Sequence, residues 1–151
     1  MDVSIVDLQE QQTAVMREKV AMNALPEFFD RAFAAVSAAM EAQGLQPAGP
    51  PFAFYHGTPS DTVDAEAGFP VSTTISAANG VRAGALPACR AVQAMHVGNY
   101  DTLGMTYEAV KQRMREGGLQ ASGDIWEYYL SDPSSEPDPA TWRTLVVWPV
   151  L

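Results

Sequence analysis

The stretch Asp124-Ile125-Trp126-Glu127-Tyr128-Tyr129-Leu130 reads as a β-strand, because aromatic and aliphatic residues dominate it and nothing recurs at helical spacing. Side chains alternate across a strand, so Ile125, Glu127 and Tyr129 share one face and Trp126, Tyr128 and Leu130 the other. One face can pack on a core. The face with Glu127 holds a carboxylate among rings, and an unpaired buried carboxylate is costly. Water, a basic neighbour such as Arg90 or Arg143, or a cationic ligand must answer it. A carboxylate framed by rings suits a flat cation.

Upstream of this strand, Leu103, Tyr107, Val110 and Met114 are spaced four, three and four apart, which predicts an amphipathic helix with Asp101 as its N-cap and Gly118 at its end. The first half of the chain repeats the pattern: Phe29, Phe33, Val36 and Met40 follow Pro26, and Gly44 closes the helix. Both stripes and both glycines are related by a shift of 74 residues. The same shift lays Leu45-Gln46 on Leu119-Gln120, and Phe52-Ala53-Phe54-Tyr55 on Trp126-Glu127-Tyr128-Tyr129. At a shift of 79, Phe69-Pro70-Val71 matches Trp148-Pro149-Val150, the extra residues falling in the loop 131–140. Amphipathic helices resemble one another, but a helix, its closing glycine, a loop and an aromatic strand in one register indicate duplication.

Each helix is preceded by two strand-like runs (Val3–Leu8 and 13–20; 81–86 and 91–97) and followed by two more (Phe52–His56 and 63–71; 124–130 and the final run). The predicted fold is therefore α+β: two β-β-α-β-β units, about 1–75 and 80–151, in one domain over 1–151. They form an antiparallel sheet with both helices on one face and a ligand cleft on the other. Trp126 and Phe52 are expected in the core beneath the helices. Ala53 stands where Glu127 stands, so only the second half carries the acid.

Nine Lys and Arg against eighteen Asp and Glu give a net charge of −9, a field that repels phosphate backbones and attracts cations. Cys89 is the sole cysteine, and His56 and His96 the only histidines, too few for a metal site. No phosphate loop or nucleophile elbow is present, so no cofactor is expected. Ser131, Ser134 and Ser135, beside Pro133 and Pro137, read as a surface excursion. No leader and no run of bilayer-spanning length is seen, which points to a cytoplasmic protein. Exposed edge strands offer a route to a homodimer.

In its order and spacing of motifs, the chain resembles the GyrI-like small-molecule-binding domain, the effector-binding module of many AraC- and MerR-type transcription regulators. The residues that carry the resemblance are His96-Val97-Gly98-Asn99-Tyr100, Glu127-Tyr128-Tyr129-Leu130-Ser131-Asp132-Pro133, Arg143-Thr144 and Trp148-Pro149-Val150, with Phe54-Tyr55-His56 and 64–71 in the first half. The resemblance implies a cleft for lipophilic, aromatic or cationic molecules, with Glu127 as counter-charge. It also implies an alternative, a hydrolase of cyclopropane-bearing or other electrophilic compounds using Glu127 and Tyr129; the negative charge permits a second, an inhibitor that binds a larger protein such as gyrase by mimicking a polyanion. With the first strand so near Met1, no DNA-binding segment is expected, which argues for a stand-alone binder without direct nucleic-acid contact.

The candidate ligand-binding residues are thus Glu127, Tyr129, its equivalent Tyr55, the equivalent pair Trp148 and Phe69, and His96. Alternation puts Tyr129 on the face of Glu127 but does not fix the side Trp148 takes. His96 reads equally as a satisfied histidine at a strand end. Met16, Met95, Met105 and Met114 are expected mostly as core filler.

Overall fold

A computed structural model describes residues 3–57, 60–131 and 136–151. The chain runs β1 (Val3–Leu8), β2 (Gln11–Ala21), α1 (Leu25–Ala42), β3 (Phe52–His56), β4 (Thr62–Pro70), β5 (Arg82–Leu86), β6 (Cys89–Val97), α2 (Leu103–Gly117), β7 (Ile125–Tyr129) and β8 (Arg143–Pro149). Short 3-10 turns lie at Met22–Ala24, Tyr100–Thr102 and Pro139–Thr141. Ser134 and Ser135, read above as part of a surface loop, lie outside the described residues. Among the described residues, no helix is long and apolar enough to cross a membrane.

All eight strands form one antiparallel sheet in the order β1-β6-β8-β7-β3-β4-β2-β5. Exchanging each strand with its counterpart in the other half (β1 with β5, β2 with β6, β3 with β7, β4 with β8) leaves that order unchanged. The pseudo-twofold falls on the β3–β7 seam, where Ala53 lies directly opposite Glu127, its own equivalent.

The far ends of the sheet are tied together. Only Gln9 and Glu10 separate β1 from β2, and only Pro87 and Ala88 separate β5 from β6. β1 pairs with β6, β2 pairs with β5, and in both ladders partner numbers add up to 97 (Val3 with Ala94, Gln11 with Leu86). These are one antiparallel ribbon, interrupted where Pro87 has no N–H to donate. Two-residue links between opposite edges force the sheet to curl, since the chain advances at most about 3.5 Å per residue.

The curl has a consequence for sidedness. The helix-free face closes on itself around Val15, Phe52, Phe54, Leu86, Ala91, Trp126 and Val147, with the Trp126 and Phe54 rings stacked 5.4 Å apart. Trp126 and Phe52 are core residues, but on the side away from the helices, where the sequence reading had them under the helices. α1 covers β2 and β4, and α2 covers β6 and β8. Ala53, Glu127 and Val146 are paired across neighbouring strands and face the helices. The α+β class and the two helices on one face are as expected; the cleft is on that same face, because the other is filled by its own aromatic core.

The helix stripes hold only in their second halves. Val36 and Met40, and Val110 and Met114, are buried, whereas in the first halves the core is met by Phe28 and Ala32, and by Thr106. α1 packs Phe28 and Ala32 over Ala65 and Ala67, whose small side chains let Phe28 reach the sheet. That rotates Phe29 and Phe33 to the edge of the stripe, and Phe33 edges onto Phe69 at 5.9 Å. Both helices end alike: Gly44 (φ 69°) and Gly118 (φ 65°) take the left-handed conformation, and the N–H of Leu45 and of Leu119 bonds back to the carbonyl of Met40 and of Met114. Gly68 is required for packing, since a Cβ there would stand 1.9 Å from the Ala14 carbonyl oxygen. Met114 is core, but Met105 is 69% exposed.

Phe28 and Phe29 are adjacent and alike in sequence yet sit in different places. Phe28→Ala is expected to cost about 3–5 kcal/mol of stability. Phe29→Ala should cost less than half of that. Urea unfolding of the two variants, compared by midpoint at constant slope, checks the difference.

Candidate functional site

The cleft opens between the N-terminal halves of α1 and α2, with the β3–β7 seam as its floor, and has a volume of about 870 Å³. Phe29, Phe33 and Phe69 form the wall of the first half, Tyr55 and Tyr129 line the seam, and Tyr100, Leu103 and Leu130 stand at the second half's rim. Glu127 is on the floor; among the described residues, Asp30 is the other acid in the lining and no Lys, Arg or His lines the cleft.

Glu127 is 2% exposed. Two tyrosines answer it. Tyr129, two residues on along β7, donates its hydroxyl to Oε1 at 2.9 Å, and Tyr107 of α2 donates to Oε2. The Tyr55 hydroxyl adjoins that of Tyr129. No ion pair reaches Glu127 among the described residues; Arg90 pairs with Asp7 instead. Burial raises the Glu127 carboxyl above its ordinary 4.5, and the two tyrosine donors, with the His96 ring nearby, pull it back part of the way. Burial first, and then the charge of Glu127, push the hydroxyls of Tyr55, Tyr107, Tyr129 and Tyr100 upward, so all four remain protonated donors at neutral pH.

Of the residues singled out in the sequence, Glu127, Tyr129, Tyr55 and Phe69 come together in the cleft. Trp148 and His96 are not in its lining. Trp148 faces the helices in the core and packs edge-on behind Tyr107 at 5.6 Å, the same arrangement that Phe69 makes with Phe33 in the first half. His96 is 3% exposed and fully bonded. Its Nε2 donates to the Asn99 carbonyl at 2.9 Å, and its Nδ1 is hydrogen-bonded to the Thr106 hydroxyl at 2.7 Å. Asp101 is not the N-cap expected: Asn99 Oδ1 accepts from the Asp101 N–H, and a 3-10 turn precedes α2. His96 and Asn99 together clamp the entry to the helix that carries Tyr107.

Tyr107, Phe29, Phe33 and Asp30 escaped the sequence reading as site residues. The first three matched the helical stripe and were absorbed into an expected core. The signal for Tyr107 was its hydroxyl: its counterpart at a shift of 74 is Phe33, just as the counterpart of Glu127 is Ala53. These two polar departures from the repeat touch each other. Among the described residues, no three His, Cys, Asp or Glu are placed to hold a metal ion.

An aromatic cleft at the symmetry seam of a doubled β-β-α-β-β sheet, with one buried carboxylate, defines a small-molecule-binding module. The chain belongs to the GyrI-like family, matching the GyrI-like small molecule binding domain over residues 1–151. Its fold is similar to that of the EcmrR C-terminal domain, with a TM-score of 0.85 at 22% identity over 99% of this chain and 97% of that one. The chain spans 57% of EcmrR as seen in its DNA complex, at a TM-score of 0.83 and 22% identity. A hydrolase from Listeria innocua is similar at a TM-score of 0.66 and 16% identity, over 99% of this chain and 91% of that one. SAV2435 bound to tetraphenylphosphonium is similar at 0.65 and 10% identity, over 100% and 94%. At these identities the likeness speaks to the fold. No curated protein matches the chain in sequence.

The buried acid dictates an unusual pH dependence. Between 4.5 and its raised folded value, Glu127 binds more protons in the fold than in the unfolded chain. It therefore favours the fold below pH 4.5, and that contribution is lost as pH rises through the folded value. The melting-temperature difference between Glu127→Gln and wild type should grow from pH 4.5 upward and then level off. In Tyr107→Phe, which removes a donor that lowers this pKa, Glu127→Gln should produce the same rise extended to higher pH. Thermal melts across pH for the four proteins check both.

Proposed function

We propose that the protein binds lipophilic aromatic cations in this cleft, with Glu127 as counter-charge and Tyr129, Tyr55 and Phe69 as the ring contacts. The observation that carries the reading is the buried Glu127 carboxylate, supported among the described residues only by neutral tyrosine donors, at the floor of an aromatic cleft that no described basic residue lines. A cation entering this space meets rings whose faces attract it and a charge little screened by water. The tetraphenylphosphonium held by SAV2435, a protein of the same fold, is a compound of this chemistry.

A second reading comes from the same carboxylate. Burial raises the Glu127 carboxyl above its ordinary value, which makes the carboxylate a stronger base, and a tyrosine hydroxyl stands beside each oxygen. A strained electrophile seated there would be opened by water that Glu127 deprotonates. The raised tyrosine pKa values make those hydroxyls weak acids, which favours binding over turnover. Loss of a cyclopropane-bearing substrate that stops in Glu127→Gln would reverse that preference.

The binding reading is tested by titration with tetraphenylphosphonium, followed by tryptophan fluorescence. Trp142 packs on Tyr100 at 5.2 Å, at the rim, and Trp148 on Tyr107. Saturable change is expected, weakened about tenfold or more in Glu127→Gln, a difference of about 1.4 kcal/mol. Only the ionised carboxylate attracts the cation, so affinity should rise with pH through the raised pKa of Glu127 and then plateau, with proton release on binding. Equal affinity in the two proteins would remove Glu127 from the site.

A further inference from the structure

We propose that the cleft selects elongated dications, one cationic head seated at Glu127 on the floor and the second at Asp30 on the wall of α1. This deepens the binding reading above and rests on it.

Among the described residues, each half of the duplicated chain contributes one acid to the cleft, and at the equivalent position the other half has a small uncharged residue. Glu127 is matched by Ala53, and Asp30, at the same shift of 74, by Gly104. The two carboxylates therefore do not form a symmetric pair; they lie at different depths. Glu127 is buried on the seam, while Asp30 is exposed. Phe29, next to Asp30, faces Tyr55 at 6.4 Å, and Tyr55 adjoins Tyr129, which holds Glu127. A layer of rings thus separates the two acids, and a single compact cation at the floor leaves Asp30 unanswered.

No structural duty accounts for Asp30. It is the sixth residue of α1, beyond the first turn in which an acid complements the helix dipole; Glu27 fills that place. Among the described residues it makes no hydrogen bond and no ion pair. The adjacent Arg31 reaches the other way, to Glu18 at 2.8 Å. A carboxylate without a partner among the described residues, in an aromatic cleft that no described base lines, repels anions and leaves a seat for a second cation. The spacer between the heads is apolar, because Phe29, Phe33, Tyr55 and Leu103 line the path. A chain of methylenes tipped by two flat cationic rings has this form.

The test compares N-decylquinolinium with alkanes carrying a quinolinium at each end, with spacers from butane to dodecane, on wild type, Asp30→Asn, Glu127→Gln and Glu116→Gln. Glu116, on α2 and outside the cleft lining, controls for the loss of one net charge. In wild type the best dication should bind about tenfold tighter than the monocation, against the twofold that two equivalent heads give by statistics; the excess is the modest gain of a solvent-exposed ion pair. In Asp30→Asn that ratio should fall to about twofold, the dication losing more affinity than the monocation, and in Glu116→Gln it should stay at the wild-type value. A wild-type ratio of about twofold at every spacer length, or a ratio unaltered by Asp30→Asn, overturns the proposal while leaving the binding reading intact. Failure of the monocation to bind wild type overturns both.

Discussion

A carboxylate on a twofold axis can occur only once. Glu127 lies opposite its own equivalent across the β3–β7 seam. A second acid at that equivalent position would place like charges face to face on neighbouring strands, out of reach of water. The duplicated chain resolves this with Ala53, which also leaves room above the seam. Once one acid is buried there, each oxygen needs a donor. Tyr129 supplies one from the same strand, and the other must come from above, from α2, where Tyr107 replaces the phenylalanine of the repeat. The asymmetry of the molecule begins at this one residue and spreads to those that support it.

That requirement explains why the entry to α2 is held so firmly. A hydroxyl aimed at a buried oxygen tolerates little drift in the helix that bears it. His96, on the neighbouring strand β6, bonds the backbone of Asn99 and the side chain of Thr106, the residue before Tyr107. Asn99 in turn caps the 3-10 turn that leads into the helix. The motif around His96 thus acts on the site through geometry. α1 has no such clamp and no such duty: its N-terminal cap lacks a side-chain bond, and the rings it contributes are apolar.

Much of the fold was legible in the sequence because duplication supplies its own alignment. The shift of 74 found the helices, their glycine ends and the seam strands, and it isolated Glu127 by comparison with Ala53. Periodicity, however, states which residues share a face and not which face is which. Phe52 and Trp126 alternate correctly yet point away from the helices, because the two-residue links at Gln9-Glu10 and Pro87-Ala88 curl the sheet, and curl leaves no trace in alternation. Periodicity places Phe29 rather than Phe28 on the buried stripe for a related reason. A helix stripe wider than its contact with the sheet has edges, and the alanines at 65 and 67 decide which residue lies at the centre. His96 and Trp148 belong to the same class of ambiguity, since a buried polar ring reads alike whether it meets a ligand or a neighbouring threonine.

The ribbon that joins the ends of the sheet has a kinetic meaning. It pairs residues 67 to 91 positions apart in the chain (Val15 with Arg82, Val3 with Ala94), and each half lends its opening strand to the other. Neither half can complete its own edge, so an isolated half exposes unpaired backbone and the apolar lining of the curl. Contacts this distant close late and slowly. Synthesis delivers β1 long before β6 exists to receive it, so the nascent chain keeps an open strand until the second half emerges. The architecture that places a single acid on the axis therefore makes folding an all-or-none event across both repeats.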